Sequence, residues 1–140
     1  MSVSDKVKKT LATWHELLER NAMEELDPIL SNRIVFRSPV AFNPYPGRAA
    51  IKLVLKNVNL VFRDFQYHRT FFTEDHRGVV LEFSAEVDGK RLKGVDILRF
   101  DEDGKIEEFE VAVRPMSGLA ALAKAMGERL AGHQEVLSGN

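Results

Sequence analysis

Asp96 is the residue that most invites a chemical reading, because it sits between Val95 and Ile97 in the run "KGVDILRF". The alternation around it predicts a strand, where a carboxylate costs free energy unless a partner or a reaction uses it. Alternation alone allows two placements. Facing inward, Asp96 shares a surface with Gly94, Leu98 and Phe100; facing outward, it joins a ring of charge with Glu82, Glu86 and Glu110. An inward Asp96 can serve as acid or base. It can also play a purely structural part, accepting from the indole N–H of Trp14 or from a serine hydroxyl.

Few other side chains can join it. His68 is the one histidine expected in mid-strand, and an Asp96–His68 acid–base pair is the catalytic constellation these residue types offer. The competing reading of His68 is a solvated sheet residue, which is the commoner fate of such a histidine. His15, His76 and His133 show no metal-ligand spacing with it, so no metal and no cofactor are expected. Ser38 precedes Pro39 and is better read as a cap on a strand end than as a nucleophile. Trp14 is the only tryptophan; core packing is its main role, and lining a pocket is compatible with that.

The elements that must position these residues follow from periodicity. Ser4 reads as the N-cap of a helix whose buried stripe is Val7, Leu11, Trp14 and Leu18. Asn21 with Glu24 resembles a capping box, and Asp27 before Pro28 reads as the cap of a further turn. "NRIVFRSPV" predicts a strand and "AFNPYPG" a loop, in which Phe42 and Tyr45 can cover a pocket mouth. Ile51, Leu55, Val58 and Phe62 define a second helix. "FQYHRTFFTE", "GVVLEFSAEV", "RLKGVDILRF" and "KIEEFEVAV" predict successive strands joined by tight turns, two of which carry Asp-Gly. A last amphipathic helix spans "SGLAALAKAMGERLAG", and "HQEVLSGN" is expected to fray. Segregated helices and an antiparallel sheet make an α+β fold, with a single domain over residues 1–140.

Composition narrows the partners. A formal charge of −1 supplies no basic field for nucleic acid. No apolar run approaches the ~20 residues of a membrane helix, and the amino terminus lacks the apolar core of a signal peptide. The absence of cysteine fits a reducing cytoplasm. The expected partner is a small hydrophobic molecule or another subunit.

The order and spacing of "VFRSPV", "PYPG" before a helix, and "GVDILRFDEDGKIEEFEVAVRP" resemble the nuclear-transport-factor-2-like superfamily, from Trp14 through the last helix. The superfamily includes ketosteroid isomerases, epoxide hydrolases, SnoaL-type cyclases and pocket proteins with no known reaction. The resemblance implies N-terminal helices packed in a curved, mixed or antiparallel sheet that forms a cone with an internal pocket, closed by a C-terminal helix. It also implies a homodimer through the outer sheet face. It selects the inward placement of Asp96, at the position of the isomerases' buried aspartic acid, a carboxyl kept neutral by its apolar surroundings so that it can donate a hydrogen bond. With that parity, the resemblance places Trp14, Phe36, Ser38, Tyr45 and Phe62 around the pocket. The sheet adds Phe83, Leu98, Phe109, Val111 and Val113. Two departures matter. The isomerases' general-base aspartate falls on Ser38, and their oxyanion-hole tyrosine falls on Trp14, which argues against steroid isomerisation. The epoxide hydrolases' second aspartate has no inward match either. An isomerase, hydrolase or cyclase with Asp96 as acid or base is the expectation. A non-catalytic binding module, or a dimeric interaction module, is the alternative.

Overall fold

The computed structural model describes residues 2–139. Helix α1 runs Val3–Glu19 and starts earlier than expected, because Ser2 rather than Ser4 accepts from the Asp5 amide at 3.1 Å. Its stripe buries Val7, Leu11, Trp14 and Leu17, while Leu18 is half-buried. Thr10 is tied across the fold, its hydroxyl donating to the Gly104 carbonyl at 2.6 Å. Two short 3₁₀ turns follow, Met23–Glu25 and Asp27–Ile29, and neither has a side-chain cap. The expected capping box does not form: Asn21 ends α1 in the left-handed region at φ 51°, and its side chain accepts from Asn59. Asp27 lies inside its turn and pairs with Lys52 at 2.8 Å instead of capping.

Strand β1 (Leu30–Arg37) pairs with a two-residue strand β2 (Tyr45–Pro46) inside the proline-rich segment expected to be a loop. Helix α2 (Arg48–Val61) buries Ala50, Ile51, Val54 and Leu55. Strands β3 (Arg63–Phe72), β4 (Gly78–Val87), β5 (Lys90–Phe100) and β6 (Ile106–Arg114) form the antiparallel meander, and β1 adds to it parallel to β6. The sheet order is β2-β1-β6-β5-β4-β3. The turn between β4 and β5 is Asp88-Gly89, with φ of 49° and 76°, the paired left-handed geometry that tight hairpins prefer. Between β5 and β6, Gly104 at φ 76° lies against Lys6 of α1, where a Cβ would come within 2.6 Å of the lysine Cβ.

Helix α3 (Met116–Leu130) closes the open side. Beyond it, Asn140 lies outside the described residues and residues 133–139 do not fray: α4 (Gln134–Leu137) docks Leu137 into the core at 6% exposure. Burying that leucine offsets the entropy of ordering a short tail. The result is an α+β fold in which the curved sheet wraps around α1, α2 and α3, with the core on its concave side. Among the described residues no helix is long and apolar enough to cross a membrane.

Candidate active site

Strand parity places Asp96 on the concave face. Leu92, Gly94, Asp96, Leu98 and Phe100 are all buried, while Lys93 and Ile97 between them are exposed. On β6 the register sets Val111 opposite Asp96, and Phe109, Val111 and Val113 point to the same side. Gly94 leaves space that a side chain would close, since a Cβ there would lie 2.6 Å from both the Phe83 ring and the Ala112 carbonyl.

The partner of Asp96 is Tyr67 of β3, not His68. The Tyr67 hydroxyl donates to Asp96 Oδ2 at 2.6 Å, and the Trp14 indole N–H donates to the Tyr67 oxygen at 3.1 Å. The indole bond foreseen for Asp96 is thus relayed through a phenol. No protein group among the described residues bonds Oδ1 of Asp96, which leaves that oxygen for whatever occupies the site. Burial in an apolar wall pushes the Asp96 carboxyl up to about 7, with the Tyr67 hydrogen bond pulling the other way. Desolvation, reinforced by the neighbouring Asp96 charge, holds the Tyr67 phenol well above its usual range. Tyr67 therefore remains a donor, and of the two it is Asp96 that changes charge near neutrality.

These groups face a cavity of about 210 Å³ between sheet and helices. Of the residues expected there, Trp14, Phe36, Ser38, Tyr45 and Phe62 line it, as do Phe83, Asp96, Phe109 and Val111. The Ser38 hydroxyl also accepts from the Val40 amide at 3.1 Å, so it caps the strand end as well as touching the cavity. Tyr45 stacks on Phe36, while Phe42 is fully exposed and does not border the cavity.

Three expectations fail. Leu98 is 1% exposed and packs in the core without reaching the cavity, and half-buried Val113 packs against the core off the cavity wall. Their parity is inward, but parity says nothing about how far the helices fill the space above a residue. His68 lies on the opposite face of β3 from Tyr67, exposed, with its Nε2 2.7 Å from the Ser84 hydroxyl. Phe65 and Tyr67, two apart and aromatic, carry the signal that this strand's inward face excludes His68. Sequence reasoning also missed Gln134 and Leu137, which the docked tail brings to the cavity. Among the described residues, no group of three or more His, Asp or Glu side chains is placed to hold a metal ion.

The arrangement amounts to an apolar chamber with one carboxyl near neutrality, held at one oxygen and open at the other. That is a proton donor and acceptor in an apolar-walled site.

Comparison with known proteins agrees with the geometry. The SnoaL-like domain model matches residues 11–109. A solved structure from Pseudomonas aeruginosa described as a steroid delta-isomerase is 49% identical over 93% of this chain and 95% of that chain, with a TM-score of 0.88. An uncharacterised protein with a cystatin-like fold from Silicibacter pomeroyi is 29% identical over 91% of this chain and 89% of that one, TM-score 0.82. SalBIII, an epoxide hydrolase/cyclase-like enzyme of pyran-ring formation in salinomycin, shares the fold at 18% identity, covering 81% and 94% of the two chains, TM-score 0.65. No protein with a curated description matches. With that domain model spanning well over half of its length, and two of these structures aligning over about nine-tenths of it, the chain belongs to the SnoaL-like domain family.

Proposed function

We propose that this protein is an isomerase-type acid–base catalyst acting on a small hydrophobic carbonyl compound, with Asp96 carrying the proton. The observation that carries the reading is the buried Asp96 whose Oδ2 is held by Tyr67 while Oδ1 has no partner among the described residues on the cavity wall. Ionised Asp96 accepts a proton from the carbon beside the substrate carbonyl through Oδ1. The neutral acid, favoured in this apolar wall, returns the proton to the far end of the conjugated system. A double bond moves, and the protein ends as it began. The similar Pseudomonas aeruginosa protein, described as a steroid delta-isomerase, supports this reaction class. Steroid isomerisation itself is disfavoured, because Ser38 stands where the isomerases carry their general-base aspartate and the cavity wall supplies no second carboxylate.

The test is conversion of 3-cyclohexenone to its conjugated isomer, read by the rise in enone absorbance. Wild type is expected to exceed buffer, and Asp96→Asn to lose ~10²–10⁴ of that rate. Equal rates for the two proteins would sink the catalytic reading. Asp96 is the one carboxyl among the described residues that line the cavity, and this favours a specific runner-up, a ligand-binding module, for which Asp96→Asn would bind ketones as wild type does. We also propose a homodimer through the convex sheet face, where Phe71 and Ile97 are 48% and 39% exposed beside the Arg69–Glu82 pair. Light scattering should give twice the monomer mass, and Ile97→Lys should halve it; a monomeric wild type would refute this.

A further inference from the structure

A second cleft opens beside the cavity, between the carboxy-terminal ends of α1 and α2. It is lined by His15, Leu18, Glu19 and Asn21 from the α1 side, and by Asn59, Phe62, Phe65 and Tyr67 opposite. Leu18, Asn59, Phe62, Phe65 and Tyr67 line the cavity as well, so the two spaces meet along this layer of side chains. The phenol that holds Asp96 stands in that layer.

The two compartments differ in chemistry. The cavity wall is apolar apart from a few polar groups, whereas the cleft offers an imidazole, a carboxylate and two amides. Asn59 in the shared layer donates its Nδ2 to Asn21 Oδ1 at 3.0 Å, which fixes the amide and leaves its Oδ1 without a partner among the described residues. Asn21 ends α1 at φ 51°, a conformation that asparagine tolerates better than most residues. The His15 ring stands edge-on to Tyr67, with centroids 5.2 Å apart, and desolvation holds its pKa down. Among the described residues no lysine or arginine lines the cleft, so Glu19 sets its charge.

We propose that this cleft is a second subsite of the same ligand site, taking a hydrogen-bond-donating, non-anionic arm of a molecule whose apolar ring and carbonyl sit against Asp96. The arm passes the Leu18–Asn59–Tyr67 layer, donates to Asn59 Oδ1 and ends beside His15 and Glu19. An anionic arm is repelled by Glu19 and finds no cation in the cleft wall. The proposal rests on the Asp96 reading and deepens it, since it makes the natural ligand amphipathic: a small cyclic ketone bearing a hydroxyl or amino tail.

Three ketones of matched shape test it: 4-propylcyclohexanone, 4-(3-hydroxypropyl)cyclohexanone and 3-(4-oxocyclohexyl)propanoate. Binding is read from the fluorescence of Trp14, the only tryptophan and part of the cavity wall. The hydroxypropyl ketone should bind at least fivefold tighter than the propyl ketone, and the carboxylate weakest. Asn59→Leu should bring the hydroxypropyl-to-propyl ratio to about one. Glu19→Gln, an exposed and structurally mild change, should raise the relative affinity of the carboxylate several-fold. Equal binding of the propyl and hydroxypropyl ketones, or ratios unmoved by both substitutions, overturns the subsite and leaves the Asp96 site standing. If none of the three perturbs Trp14, the Asp96 reading fails and the subsite with it.

Discussion

Asp96→Asn should change the pH dependence of folding in a way that isolates the cost of this carboxyl. Folded Asp96 keeps its proton up to about 7, whereas in the unfolded chain it ionises near 3.8. Between those values the folded state binds one proton more than the unfolded state. Wild-type stability therefore falls as pH rises through the window, and the contribution levels off above about 7. At 1.36 kcal/mol per pH unit, the whole window amounts to about 4 kcal/mol, of which roughly 3 lie between about pH 5 and pH 8. Asparagine keeps an oxygen to accept the Tyr67 hydroxyl and carries no titrating proton. The variant should thus gain about 3 kcal/mol on wild type between those two conditions. Urea unfolding followed by Trp14 fluorescence is the assay, since Trp14 is 2% exposed and leaves the core on unfolding. Comparing the two proteins at each pH cancels His15, which is shifted equally in both, and Glu82, which is held down to about 2. A variant-minus-wild-type difference that stays flat from about pH 5 to pH 8 would refute the claim that Asp96 is buried and unpaired by any cation.

Two further outcomes follow from the same contacts. Tyr67→Phe removes a charge-assisted bond worth about 1.5–3 kcal/mol to the ionised form, so the Asp96 titration midpoint should rise by about 1–2 pH units; the carboxyl carbon shift of labelled aspartate reads it, and a downward move would contradict the site as described. Leu137→Ala should cost about 2 kcal/mol in urea unfolding, toward the low end for buried leucine because the site borders the cavity; a loss under about 0.5 kcal/mol would mean that the tail adds nothing to the fold.

The meander is legible in the sequence because two independent signals coincide there. Apolar alternation sets the inward face of β4, β5 and β6, and Asp88-Gly89 and Gly104 sit at positive φ where the turns require it. That parity locates Asp96 once the resemblance chooses between its two faces. The same rule, applied to "FQYH", points to Phe65 and Tyr67 as inward. His68 offers the more familiar acid–base chemistry, but it sits one residue out of phase, and a strand cannot turn both neighbours to the same face. The tail is illegible for another reason. "HQEVLSGN" is too short and polar to show a period, and what orders it is long-range packing, with Leu137 docked into the core. Which inward residues border the cavity is equally hidden. Leu98 and Val111 share parity, but only the packing of α1, α2 and α3 decides that one is covered and the other open.

Two carboxylates on adjacent strands show why Asp96 belongs to a site and not merely to the core. Glu82 of β4 and Asp96 of β5 are 7% and 6% exposed, on opposite faces of the sheet. Glu82 is stabilised as an anion: Arg69 grips it through two hydrogen bonds of 2.9 and 2.6 Å, Lys93 stands 3.3 Å away, and its pKa is drawn down to about 2. Asp96 has no cationic partner among the described residues. It has one phenol, and its pKa moves the other way, to about 7. A carboxyl kept for structure is expected to look like Glu82, because pairing with cations lowers its cost. An apolar residue of similar size at Asp96 would fill the same wall without the penalty of a buried, half-ionised acid. Trp14 and Tyr67 nevertheless commit two hydrogen bonds to orienting it, with its second oxygen turned to an apolar chamber. That combination destabilises the fold above neutral pH, and the property it confers is a proton that can leave and return at neutral pH.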